Sequence, residues 1–93
     1  MRALCYFGPK DIRCDRIDDA RIDDAGDAVV KMTACGICGS DLHIYGGHGF
    51  TTDLGYCVGH EAIGEVVEVG RAVRRLKAGD RVMISAAVGC GAC

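Results

Sequence analysis

No apolar run in this chain approaches the roughly 20 residues that a helix needs to cross a bilayer. Tryptophan is absent, and proline occurs once, in the turn-forming pair Gly8-Pro9. An excess of either charge is also missing. The net charge of −2 gives no electrostatic reason to expect nucleic acid or an anionic membrane as a partner. No Gly-x-Gly-x-x-Gly turn occurs, and no strand–helix–strand pattern is present to carry one, so these residues hold no dinucleotide-binding unit. The N-terminal "MRALCYFGPKDIRC" lacks the apolar core of a secretory signal, which makes a cytoplasmic location the expectation. In a reducing compartment the seven cysteines are expected to be thiols or metal ligands, and an odd number cannot all pair.

What is present fits one small domain. The 93 residues are 49% hydrophobic and 26% charged, the balance of an ordinary soluble globular protein. A chain of this size buries only about 60–70% of the surface that its unfolded form exposes, so modest stability is expected.

Most of the sequence consists of short strand-like runs punctuated by glycine. "MRALCYF" is β-prone and stops at Gly8-Pro9, and "DIRCDRI" alternates Ile12 and Cys14 with charged neighbours. "DAVVKMTAC" sets Ala28, Val30, Met32 and Ala34 on one face, with Val29, Lys31 and Thr33 on the other. "VGHEAIGEVVEVG" is rich in β-branched residues, and "DRVMIS" follows a "KAGD" turn. Helix is expected in two places: "GSDLHIY", with Ser40 or Asp41 as its cap, and the basic stretch "RAVRRLK", whose charges are expected on a solvated face. The tandem "RIDDA" of residues 16–25 is too short to stack as a solenoid and lacks the ordered aspartates and closing glutamate of a calcium loop. An acidic surface loop is the expectation there.

The chemistry lies in "ACGICGSDLHIY" and, further on, "VGHE". Zinc takes thiolate sulfur and imidazole nitrogen, with four protein ligands at a structural site and about three at a catalytic one. Cys38, His43 and His60 are candidate donors on either side of a glycine-rich loop. On donor chemistry alone several assignments stay open, among them Cys35–Cys38 as a redox pair.

"CGICGSDLH" followed by "GHE" resembles the zinc-dependent alcohol dehydrogenases of the medium-chain dehydrogenase/reductase family, and "GEVVEVG", "LKAGDRV" and "CGAC" fit the same pattern in order and spacing. The resemblance runs through nearly all of residues 1–93. It implies a mainly β fold, a GroES-like partly open β-barrel that is incomplete here, with the family's Rossmann domain absent. Carried over by position, it implies that Cys38 and His60 are ligands of a catalytic zinc. Ser40 would take the proton of the substrate alcohol, and His43 would pass it towards solvent by way of the cofactor ribose, which makes His43 cofactor-binding as well. Glu61 would tune the metal from beside it. Cys90 and Cys93 would be the first two of four cysteines around a separate structural zinc. The third catalytic ligand lies well downstream in this family. The implied cofactors are Zn²⁺ at both sites and NAD or NADP bound mainly by the absent domain. A Cys₂His set is the known ligand set of alcohol dehydrogenase zinc. There the metal acts as a Lewis acid on the alcohol oxygen, and a hydroxyl-to-imidazole relay carries off the proton.

The other candidates have plainer explanations. A Cys-x-x-Cys redox pair should open a helix in a βαβ setting, so Cys35 is expected to be a bystander. On an extended strand Cys57 and His60, three apart, face opposite ways and should not share a metal. Cys5 and Cys14 are expected in the core, and His48 in an exposed loop beside the substrate entrance.

A chain that stops on Cys93, with two of four structural-zinc cysteines in hand, is expected to be the N-terminal fragment of a longer dehydrogenase, since domain boundaries fall in exposed linkers. Such a fragment is expected to be inactive alone, to bind zinc weakly and to aggregate through unpaired sheet edges. The full-length enzyme would act on a small-molecule alcohol or aldehyde and would be a homo-oligomer. The competing expectation is a stand-alone, non-enzymatic zinc-binding GroES-like β module. A thiol redox protein built on Cys35 and Cys38 ranks below both.

Overall fold

In this computed structural model the described residues are 1–89. They form seven elements in chain order: β1 (Arg2–Tyr6), β2 (Ile12–Arg16), β3 (Ala28–Gly36), α1 (Gly39–Tyr45), β4 (Tyr56–Cys57), β5 (Glu61–Val69) and β6 (Arg81–Ile84). The architecture is mainly β, as expected, with two open three-stranded sheets. Every pairing between strands is antiparallel, so no βαβ unit occurs among the described residues. No helix among them is long and apolar enough to cross a membrane. The chain divides into two compact units, Met1–Asp19 with Ile37–Gly59, and Ala20–Gly36 with His60 onward.

In the first unit β1 is the centre of the order β2-β1-β4. The β1–β2 hairpin turns at "FGPKD", where Asp11 N–H donates to the Gly8 carbonyl at 3.0 Å. Pro9 supplies the fixed φ of the second turn position, and Lys10 takes the left-handed third position at φ 59°. Lys10 N–H also donates to the Tyr45 carbonyl at 2.6 Å, which ties this turn to the end of α1. The Arg13 guanidinium lies 4.3 Å from the Phe7 ring centroid and bonds Asp11 at 3.1 Å. Cys5, Tyr6 and Ile44 form the buried centre. Around it the Tyr56 ring packs 5.5 Å from both the Tyr6 and the Phe50 ring.

In the second unit the order is β3-β5-β6, with Val66 of β5 fully buried. Along β5, Ala62, Gly64 and Val66 turn inward while Glu61, Ile63 and Glu65 face out, the period-two pattern of a half-buried strand. The ladder between β3 and β5 shifts register at Val29/Val30 and at Met32/Ala34, so the simple two-face alternation expected for β3 is broken by bulges. The "KAGD" turn forms as expected, with Lys77 N–H donating to the Asp80 carboxylate at 3.0 Å and Gly79 at φ +100°.

"RAVRRLK" is not a helix. Its start is held by Ala72 N–H to the Ala25 carbonyl and Val73 N–H to the Gly70 carbonyl, and seven residues are too few to nucleate a helix without a packed face. Cys14 is exposed on the edge strand β2, not in the core. The acidic loop is a surface loop ordered by its own aspartates: Asp27 Oδ2 accepts from Asp23 N–H at 3.1 Å and Asp24 N–H at 2.8 Å, and Asp24 Oδ1 accepts from Gly26 N–H.

Candidate metal centre

The segment "CGSDLHIY" carries the candidate site residues of the first unit. Cys38 is the N-cap of α1, extended at φ −120° and ψ 179°. Sequence pattern had pointed to Ser40 or Asp41 as the cap; instead Asp41 stands at the third helical position and accepts the Cys38 backbone N–H on Oδ2 at 3.0 Å. That reciprocal arrangement is a capping box, with cysteine in the place usually held by serine or threonine. It fixes the backbone that carries the Cys38 thiol and brings a carboxylate oxygen of Asp41 within 4.8 Å of Cys38 Sγ. Asp41 was not among the expected functional residues, although the "C-x-x-D" spacing at a helix start was its visible signal.

Ser40 and His43 lie three apart on α1 and therefore on one face. Both open onto the same cavity of about 280 Å³, together with Ile44, His48, Gly49 and Phe50. His48 lies at this cavity on an exposed turn, its N–H donating to the His43 carbonyl at 2.8 Å. Behind Gly49 the Tyr56 hydroxyl is buried with no hydrogen-bond partner among the described residues.

His60 and Glu61 belong to the second unit, at the start of β5. They share an apolar cleft of about 620 Å³ with Gly36, Ile63, Met83 and Ile84. Glu61 pairs with Gly36 across the β3–β5 ladder, and its carboxylate lies over that glycine, where a β-carbon would collide with Oε2. The motifs "ACG" and "GHE" are thus joined through the sheet.

The donor types fit zinc. Cys38 in the first unit and His60 in the second each carry, on a half-buried side chain, a donor of the kind that zinc selects, and within the first unit Asp41 sets a hard oxygen near Cys38. Cys90 and Cys93 lie outside the described residues. No disulfide links the five described cysteines. Cys35 is exposed on β3 opposite Ala62, with its thiol against the Gly36 carbonyl at 3.5 Å. Cys57 pairs with Cys5 across β1 and β4, their sulfurs 4.0 Å apart. Burial, and the neighbouring Cys57, push the Cys5 thiol pKa up.

Residues 24–93 match the family described as the alcohol dehydrogenase GroES-like domain. The chain is 42% identical over 93 residues to the medium chain reductase/dehydrogenase ucsI of Acremonium sp, a match covering all of this chain and 32% of that protein. It superimposes on the apo form of zinc dependent alcohol dehydrogenase 2 from Streptococcus pneumonia with a TM-score of 0.92 at 40% identity, covering 100% of this chain and 27% of that one. For alcohol dehydrogenase TADH from Thermus sp. ATN1 the TM-score is 0.93 at 34% identity, with coverage of 100% and 27%. The chain spans about a quarter to a third of the length of these proteins. With its open antiparallel sheets and its cysteine-capped helix, it belongs to the zinc-dependent alcohol dehydrogenases of the medium-chain dehydrogenase/reductase family, as the N-terminal part of their GroES-like domain.

Proposed function

We propose that residues 1–93 are the N-terminal part of the catalytic domain of an enzyme that oxidises a small-molecule alcohol to an aldehyde or ketone, with hydride transfer to NAD or NADP. The observation that carries this reading is the placement of Ser40 and His43 on one face of α1, opening onto one cavity two and five residues after Cys38.

Cys38 and His60 are proposed as two ligands of one catalytic zinc, a role supported by their donor types, their half-burial and the family to which the chain belongs. Zinc, when bound, supplies the Lewis acidity that lowers the pKa of an alcohol hydroxyl towards neutrality. Ser40 Oγ accepts the proton from the substrate hydroxyl as it passes its own towards the His43 imidazole. Histidine suits the outer station because its ordinary pKa lies near neutrality. Asp41 positions Cys38 through the backbone N–H that it accepts. Glu61, held beside His60 and over Gly36, adjusts the charge around the metal. Cys90 and Cys93 are proposed to bind a second, structural zinc together with two cysteines beyond this chain.

The test is made on the full-length protein. Loaded with zinc and given a panel of primary and secondary alcohols, it is expected to reduce NAD or NADP, and a chelator is expected to abolish turnover. Stoichiometric zinc with no turnover on any alcohol would point instead to a non-enzymatic zinc-binding β module.

A further inference from the structure

The geometry points to a second function for this unit: Cys5 and Cys57 form a peroxide-responsive dithiol that closes to a cross-strand disulfide between β1 and β4. The register places the two residues directly opposite each other. Val58 N–H donates to the Leu4 carbonyl at 3.0 Å, so position 4 against 58 is a hydrogen-bonded one. In an antiparallel ladder the next pair, Cys5 against Cys57, is then a non-hydrogen-bonded pair, where opposing side chains approach most closely. The sulfurs already lie 4.0 Å apart, on the same face of the sheet, and the remaining gap of about 2 Å closes by side-chain rotation.

The two thiols differ in access. Cys57 is exposed, whereas Cys5 is 1% exposed in the core beside Tyr6. A hydroperoxide therefore meets Cys57 first, and Cys5 is the resolving thiol, shielded from the oxidant but within reach of its neighbour. In the first step the Cys57 sulfur takes one oxygen from ROOH, giving a sulfenic acid and ROH. In the second, Cys5 sulfur attacks Cys57 sulfur, the S–O bond breaks, and the thiol proton leaves with the hydroxyl as water. The balance is two thiols and one hydroperoxide to one disulfide, one alcohol and one water. Neither residue is used by the proposed dehydrogenase chemistry, so this inference stands apart from that reading. The bridge would close a covalent loop around Cys38, Ser40 and His43, and loop closure of this kind restricts the unfolded chain.

The test treats the full-length protein with hydrogen peroxide, blocks remaining thiols with iodoacetamide and maps non-reduced peptides by mass spectrometry. The expected result is a peptide joining Cys5 to Cys57, reversed by dithiothreitol, together with a higher Tm for the oxidised form. Cys57→Ser, at an exposed position that leaves the core intact, is expected to abolish both. Cys57 carried to the sulfinic acid with no bridge to Cys5, a bridge to a different cysteine, or no reaction at Cys57 would each overturn the proposal.

Discussion

The carboxylate of Glu61 lies over the α-carbon of Gly36, its direct partner across the β3–β5 ladder. A β-carbon at position 36 would meet the far end of this exposed side chain, which can turn aside, while the Glu61 β-carbon stays at an ordinary 3.4 Å. Gly36→Ala is expected to change stability by no more than about 0.5 kcal/mol, measured by denaturant unfolding of the full-length protein, because the exposed Glu61 carboxylate can swing into solvent. The double variant Gly36→Ala/Glu61→Ala should match Glu61→Ala alone within the same margin. A loss of several kcal/mol for Gly36→Ala that Glu61→Ala relieves would show instead that the carboxylate is fixed in place.

The bond from Cys38 N–H to Asp41 carries a separate expectation. Asp41→Ala removes the partner of a helix-end donor and should lower stability by about 0.5–2 kcal/mol. Asp41→Asn keeps an acceptor oxygen and should lose less. Equal losses for the two variants would contradict the capping role.

Ser40 and His43 are expected to act in series. In the full-length enzyme, Ser40→Ala and His43→Ala should each reduce kcat by about 10²–10⁴-fold with little change in KM. A kcat unchanged by His43→Ala would place the proton path elsewhere.

One titration is set by local charge. The Met1 ammonium, 2.6 Å from Asp19 Oδ1, holds the Asp19 carboxyl below its ordinary value. A depressed folded pKa means that the contribution to stability is present above the unfolded value of about 3.9 and is lost as pH falls through the folded one. Because the pair is exposed, that contribution is small and weakened by salt. Carboxyl NMR should show Asp19 titrating below its usual range, and N-terminal acetylation should return it there. A midpoint insensitive to acetylation would exclude the ammonium as the cause.

Much of the fold was legible because the strands carry their own local pattern. "MRALCYF", "DIRCDRI" and "DRVMIS" became β1, β2 and β6, and "GSDLHIY" became α1, since alternation and turn residues act over a few positions. The sequence points to Ser40 or Asp41 as the cap of α1 because cysteine is not a usual capping residue; the cap is Cys38, and Asp41 holds it from the third helical position. The basic run "RAVRRLK" has helix-forming residues, but its backbone bonds go to Ala25 and Gly70, which no local pattern reveals. Cys14 was expected in the core because alternation tells which residues share a face, not which strand lies at a sheet edge. The pairing of Cys5 with Cys57 depends on the register of two strands 50 residues apart, which only the tertiary structure fixes. In the structure Ser40 and His43 line one cavity and His60 and Glu61 another, while the roles given to them by resemblance stay proposals.

The central claim is that Cys38 and His60 hold one catalytic zinc. Its most direct measurement is the zinc content, by atomic emission, of the full-length protein and of the folded variants Cys38→Ser and His60→Ala, each assayed beside it for alcohol oxidation. The account predicts that each variant loses one zinc per chain and its turnover while keeping the second zinc. Full zinc content with turnover intact in either variant would contradict it.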